Sequence, residues 1–193
     1  PDQYYAFPRA SVAFNIANFD FWNVGFMNQF KPRIAYGETA GPVNFGSTFT
    51  PLGGTNIGGL LGSVVGTQIG NTLILPETAK ELEFGIDAGF FNNRLAIEAT
   101  YYIKSTQNNI QNLNLAPSTG VNTTPSNEAE LENKGIELTI ERFLSNDFYY
   151  LITASVFDTK YQAKKNVWYN TQFNNNYAAN LLVGKDFGKL KYP

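Results

Sequence analysis

Strict alternation of apolar and polar residues between Lys80 and Lys104 constrains this chain more than any other feature. In a strand, successive side chains point to opposite faces, so a period of two sorts residues by face. Leu82, Phe84, Ile86, Ala88 and Phe90 share one face, and Glu83, Gly85, Asp87 and Gly89 share the other. Asn92-Asn93 suits a two-residue hairpin loop, because Asn tolerates positive φ. On the return, Leu95, Ile97, Ala99, Tyr101 and Ile103 alternate with Ala96, Glu98, Thr100 and Tyr102. The loop then sets Phe90 opposite Leu95, Ala88 opposite Ile97, Ile86 opposite Ala99 and Phe84 opposite Tyr101. A slip of one residue would mix the faces, so the register is well specified.

A second hairpin follows the same logic. Ile136, Leu138 and Ile140 alternate with Glu137, Thr139 and Glu141, and Ser145-Asn146-Asp147 reads as a three-residue turn. Phe148, Tyr150, Ile152, Ala154 and Val156 return on the apolar face, with Ile140 opposite Ile152 and Thr139 opposite Thr153. Further strands are expected over 4–16, 29–37 and 176–187, with Pro8 and Pro32 early in theirs, where a missing N–H is tolerated. The turns near 92–93 and 145–147 are tight, the linker 17–28 is intermediate, and the connections 38–79, 107–133 and 161–175 are long. In an up-and-down antiparallel sheet of about seven strands every long loop leaves at one end. Short turns at one end and long loops at the other mark a segment of a large transmembrane β-barrel, all-β, with periplasmic turns and extracellular loops.

Composition agrees. Only 16% of residues are charged, against about 25% in a typical soluble domain. In a barrel the apolar face meets lipid and the carboxylate-bearing face meets the lumen. Aromatics gather near the tight turns (Phe90, Phe91, Phe143, Phe148, Tyr149, Tyr150) and toward the other end (Tyr101, Tyr102, Tyr161, Trp168, Tyr169), as two interfacial belts would. The alternative is a soluble β-sandwich with an aromatic core. A net charge of −2 and a pI near 5.2 argue against nucleic acid as a partner. Without Cys or His there is no disulfide, no thiolate nucleophile and no imidazole base or ligand. No basic start followed by an apolar run marks a signal peptide, and no apolar run is long enough for a membrane helix. The chain starts at Pro1 and ends at Pro193 in mid-pattern, which reads as a piece of something longer.

Candidate sites are few. Gly54, Gly58, Gly62, Gly66 and Gly70 form a nominal small-residue ladder. Thr55, Asn56, Ser63, Thr67 and Gln68 favour a Gly-rich loop over a helix there, and no Gly-Lys-Ser/Thr makes it a phosphate cradle. Asp87 falls opposite Glu98, a spacing that glycosidases use. A hydrated face where each acid meets a neighbouring Lys or Arg is the favoured reading, for these two as for Glu83, Glu137 and Glu141. Glu128, Glu130 and Glu132 read as a solvated acidic run before a calcium site. The loop 38–76 has no charge after Glu38, and 107–127 is rich in Asn, Gln, Ser and Thr, groups able to bond sugar hydroxyls. No catalytic, cofactor-binding or metal-binding residue is assigned, no cofactor is expected, and the substrate-binding residues stay unnamed.

Leu75–Asp87, Phe90–Leu95 and Thr100-Tyr101-Tyr102 resemble a barrel segment of TonB-dependent outer-membrane transporters, of the SusC/RagA type of Bacteroidetes. Glu132–Leu138 resembles the strand after a surface loop in that family, and Phe7–Val12 and Arg33–Gly37 fit two earlier strands. From Phe143 onward the likeness is to a related group of Bacteroidetes barrel receptors. The resemblance implies that residues 1–193 are part of a 22-stranded receptor barrel, with plug, TonB box and the remaining strands outside the chain. It implies outer-membrane location and non-enzymatic uptake of a glycan, peptide or similarly bulky nutrient. The implied partners are outer-membrane lipid, the TonB–ExbB–ExbD motor acting through the plug, and a SusD-like surface lipoprotein. The alternatives are a soluble or surface all-β glycan-binding module, a β-rich enzyme using Asp87 and Glu98, and a non-transporting barrel serving adhesion or assembly.

Overall fold

A computed structural model describes residues 5–164 and 167–188. Ten strands form: β1 (Arg9–Ala13), β2 (Met27–Gly41), β3 (Leu52–Ile57), β4 (Leu60–Val65), β5 (Glu77–Phe90), β6 (Leu95–Asn114), β7 (Thr123–Ser145), β8 (Phe148–Lys164), β9 (Val167–Asn170) and β10 (Tyr177–Lys185). One antiparallel sheet runs β1-β2-β5-β6-β7-β8-β10, with β9 also on β8, while β3 and β4 pair only with each other. Each strand lies beside its sequence neighbour once that hairpin and β9 are set aside, which is the expected up-and-down order.

The first hairpin has the expected register: Phe90 pairs with Leu95, Ala88 with Ile97, Ile86 with Ala99, Phe84 with Tyr101 and Asp87 with Glu98. Its turn is wider than the expected two-residue loop: residues 91–94 lie between the last pair, and Phe91 joins Asn92 and Asn93 at positive φ. The Phe91 amide donates to the Phe26 carbonyl at 2.9 Å, a bond that offsets the awkward backbone. In the second hairpin Ile140 faces Ile152 and Thr139 faces Thr153. The route differs, though. Asn146 and Asp147 form a two-residue loop with positive φ, Ser145 faces Phe148, and a bulge between Arg142 and Ser145 absorbs the extra residue.

Several boundaries move. The strand expected over 4–16 shortens to Arg9–Ala13, with a further ladder bond at Pro8 and at Phe14; Tyr4 lies outside the described residues, and Ile16 begins a short 3-10 turn. The connections expected over 107–133 and 161–175 are largely strand. β6 continues to Asn114, β7 starts at Thr123, and β8 with β9 extends the second hairpin past Lys160. Gly54–Gly70 is neither helix nor loop throughout, since it holds the β3–β4 hairpin, turned at Gly58 and Gly59, both at positive φ.

The sheet has no core on either face. Among the described residues the extensive contacts between elements are those of hydrogen-bonded neighbours, plus the 16–18 turn on β2. From strand to strand the apolar stripe is exposed: Val12 is 59% exposed, Phe84 45%, Ile136 56% and Leu181 69%. Among the described residues Ile74, Ala129 and Pro125 are buried at the long-loop end, and the other buried positions are the glycines Gly85, Gly89 and Gly135 within the sheet. There the segment 66–75 lies against the start of β7. The Ile69 amide donates to the Thr123 carbonyl at 3.0 Å, and Asn71 Nδ2 donates to the Pro125 carbonyl at 3.0 Å. Asn127 fastens the end of that loop, accepting from the Leu75 amide at 2.7 Å and donating to the Leu75 carbonyl at 2.8 Å.

Candidate functional site

The polar face is where this sheet carries chemistry. Pairing of β2 with β5 sets Lys31 opposite Asp87 and Arg33 opposite Gly85. Gly85 has no side chain, so the Arg33 guanidinium lies across it, where any Cβ would collide. From there Arg33 Nε donates to Asp87 Oδ1 at 3.2 Å, Nη1 approaches Glu83 Oε2 at 3.4 Å, and Nη2 donates to Thr100 Oγ1 at 2.6 Å. Lys31 Nζ reaches Asp87 Oδ2 at 2.7 Å. One guanidinium thus ties three strands, and the Asp87 carboxylate meets two cations.

That geometry bears on the two readings of Asp87 and Glu98 and agrees with the hydrated face. A shared proton needs two close carboxylates without nearby cations. Here Asp87 is held by Lys31 and Arg33, so its direct neighbour Glu98 finds no free partner acid. The carboxylates of the polar face follow the reading of acids met by neighbouring bases at Asp87 and Glu83, and at Glu81, which Lys104 approaches at 3.3 Å. Glu98, Glu137 and Glu141 lie on β6 and β7, with Thr139, Thr100 and Ala96 as their respective cross-strand partners.

Higher on the same face Tyr102 lies over Gly135, where an added Cβ would stand 3.0 Å from the phenol oxygen and 2.6 Å from the Val156 carbonyl. The phenol donates to Asn133 Oδ1 at 3.5 Å, which also accepts from Thr159 Oγ1 at 3.0 Å. Tyr149 covers Gly184 in the same way. These placements revise the two aromatic sets. Tyr102, Tyr149, Tyr161 and Tyr169 alternate onto the polar face, whereas Phe90, Phe148, Tyr150, Tyr101 and Trp168 stay with the apolar one.

The acidic run does not converge. Glu128, Glu130 and Glu132 are spread along β7, Lys134 Nζ takes Glu132 Oε1 at 3.0 Å, and among the described residues no group of three or more such ligands could hold a metal ion. Lys31 and Arg33 are the site residues that sequence reasoning left out. Their signal was present: both alternate onto the polar face of a strand beside the acidic one.

The profile of the family "TonB dependent receptor-like, beta-barrel" matches residues 2–191. TonB-dependent receptor P3 of Formosa agariphila is 31% identical over 148 residues, covering 72% of this chain and 14% of that protein. TonB-dependent receptor P39 of the same organism is 30% identical over 138 residues, 69% of this chain and 13% of its own. The chain therefore spans about one seventh of the curated relatives it matches. Among solved structures, the RagAB peptide importer in its closed-closed state superposes with a TM-score of 0.72 at 19% identity, over 87% of this chain and 19% of that one. A second RagAB structure gives a TM-score of 0.69 at 20% identity, over 88% and 19%. The fold is thus the one a SusC/RagA-type wall requires. The exposed apolar stripe, its charged reverse and the match over nearly the full sequence agree, and the chain belongs to the TonB-dependent receptor family as a stretch of its outer-membrane β-barrel.

Proposed function

We propose that the chain forms part of the wall of an outer-membrane transporter, powered through TonB, that admits a bulky nutrient. The observation that carries this reading is the two-sidedness of an open sheet. Away from its tight-turn margin, its apolar stripe carries large side chains left exposed, while its reverse neutralises charges in place through Lys31, Arg33, Glu83 and Asp87. Hydrocarbon accepts the first face and a hydrated lumen the second. Transport needs no bond-making here. The wall supplies a water-lined path, and gating falls to a plug and the TonB–ExbB–ExbD motor outside this chain. Glu98, Glu137 and Glu141, on the half of the face without Lys31 and Arg33, are the residues offered to plug contact.

The ordered loop 42–76, clipped to β7 through Asn71 and Asn127, forms a rim at the extracellular end that is suited to substrate and to a SusD-like surface lipoprotein. The RagAB structures are described as a peptide importer, which supports peptides among the substrate classes, beside glycans. The test is uptake of labelled oligopeptide and oligosaccharide pools by cells carrying the full-length receptor, with and without TonB. TonB-dependent accumulation that disappears on deleting the receptor supports transport. Unchanged accumulation in either deletion contradicts it and favours a non-transporting barrel.

A further inference from the structure

The connection between β1 and β2 is the longest at the tight-turn end, spanning 14–26, and Asp20 is its only charged residue. Its aromatics do not fold inward. The Phe14 amide donates to the Pro32 carbonyl at 3.1 Å, continuing the β1–β2 ladder and keeping Phe14 on the same face as Val12 and Ile34. Phe19 stacks on Phe14 at 5.7 Å and 2°, and Phe21 stacks on Phe19 at 5.7 Å and 16°. Trp22 stacks on Phe30 at 5.6 Å and 8°, with its indole N–H donating to the Met27 carbonyl at 2.9 Å. Phe26 stacks on Phe90 at 6.3 Å and 11°. Phe30 and Phe90 belong to the apolar stripe by register. Four aromatics of a nominal periplasmic turn are therefore laid, ring on ring, against the lower margin of the stripe. Phe21 is nonetheless 70% exposed and Phe26 55%.

We propose that this connection lies in the inner-leaflet interface of the outer membrane as an aromatic shelf, with phospholipid as its partner, and does not project into the periplasm. The proposal rests on the barrel reading above. Continuity with the stripe identifies the partner: rings stacked on hydrocarbon-facing side chains at the membrane margin sit at headgroup level. Aromatic side chains are favoured there because they offer an apolar body where charged groups are costly. The tether at Trp22, which satisfies the indole N–H locally, and the pairing of Asn28 with Asn93 hold the connection to the wall.

Nitroxide labels at Phe21→Cys and, separately, Phe26→Cys in the full-length receptor test this. The background lacks other cysteines, and the vesicles are phosphatidylethanolamine with phosphatidylglycerol. Accessibility to oxygen is compared with accessibility to a water-soluble nickel chelate. Ile86→Cys in the stripe and Arg94→Cys in the neighbouring turn are the references. The expected oxygen-to-nickel ratio at Phe21 and Phe26 is several-fold above that at Arg94 and below that at Ile86. A ratio equal to that of Arg94 overturns the shelf while leaving the barrel intact. Exclusion of both reagents also overturns it, in favour of a protein partner. No oxygen preference at Ile86 removes the barrel reading itself, and the shelf with it.

Discussion

Ile86→Arg puts the two-sidedness of the sheet to an energetic test. The strand rises about 3.3 Å per residue, and a barrel tilt near 40° leaves about 2.5 Å of that along the membrane normal. Four residues separate Ile86 from Phe90 at the aromatic margin, so Ile86 sits about 10 Å inside an apolar band ~25 Å tall, close to its middle. Ala99, Leu138 and Ala154 continue the same rung across β6, β7 and β8. Arginine on the lipid face costs about 2–4 kcal/mol at mid-depth and ~0–1 kcal/mol near the interface. The folding equilibrium of the full-length receptor therefore falls by about 30- to 700-fold for Ile86→Arg, and far less for Phe90→Arg. Thr139→Arg is the internal control. It stands opposite Glu98 on the polar face, where water and a carboxylate receive the new charge. The assay is reversible guanidinium unfolding in lipid vesicles, followed by the mobility of the folded band. Equal costs at Ile86 and Thr139, or no dependence on depth between Ile86 and Phe90, would refute the argument.

Three other outcomes follow from the geometry. Arg33→Gln removes contacts to Asp87, Glu83 and Thr100 at once and lowers stability by about 1–2 kcal/mol, whereas Lys104→Gln, at a more exposed pair, changes it by less than ~1 kcal/mol; unfolding titrations on both variants compare them. Gly135→Ala drives a methyl toward the Val156 carbonyl and costs about 1–3 kcal/mol. Tyr102→Ala in that background recovers none of it if the backbone contact dominates, read in the same unfolding assay. Asn127→Ala frees the loop end from Leu75 and from the Asn108 carbonyl. Amide exchange over 66–75 then quickens while that of β5 and β6 holds, and uniform protection in hydrogen-exchange mass spectrometry would contradict the clip.

Register was legible because hydrophobic contrast was high. Between Leu82 and Ile103 a one-residue slip would place Glu83 or Glu98 on the oily face, so a single pairing survives inspection. The bulge at 143–144 shows the limit of such reading. The three-residue turn and the two-residue turn with a bulge produce the same pairing of Ile140 with Ile152, and sequence alone does not separate them. Strand length was legible only where contrast lasts. Over 107–114 the apolar residues are Ile110 and Leu113, three apart and so out of step with a period of two, and the stretch reads as loop, yet β7 pairs with it as far as Asn114. A carboxylate adds to that pairing: Glu77 Oε1 accepts from the Ile110 amide at 2.7 Å and from Asn109 Nδ2 at 3.1 Å, holding the irregularity at Asn108 that no pattern announces. The β3–β4 hairpin did carry a signal, with Gly58-Gly59 between Ile57 and Leu60, a pair suited to a two-residue turn. The Gly-rich surroundings masked it. The pairing of Asp87 with Lys31 and Arg33 needed a cross-strand register between segments more than fifty residues apart, which local alternation does not supply.

The most direct test of the account is an accessibility scan of single nitroxides from Leu82 to Phe90 in the full-length, membrane-embedded receptor. The account predicts a two-residue oscillation, with oxygen favoured at 82, 84, 86, 88 and 90 and the nickel chelate favoured at 83, 85, 87 and 89. A scan without that oscillation, or with its phase reversed, would contradict it.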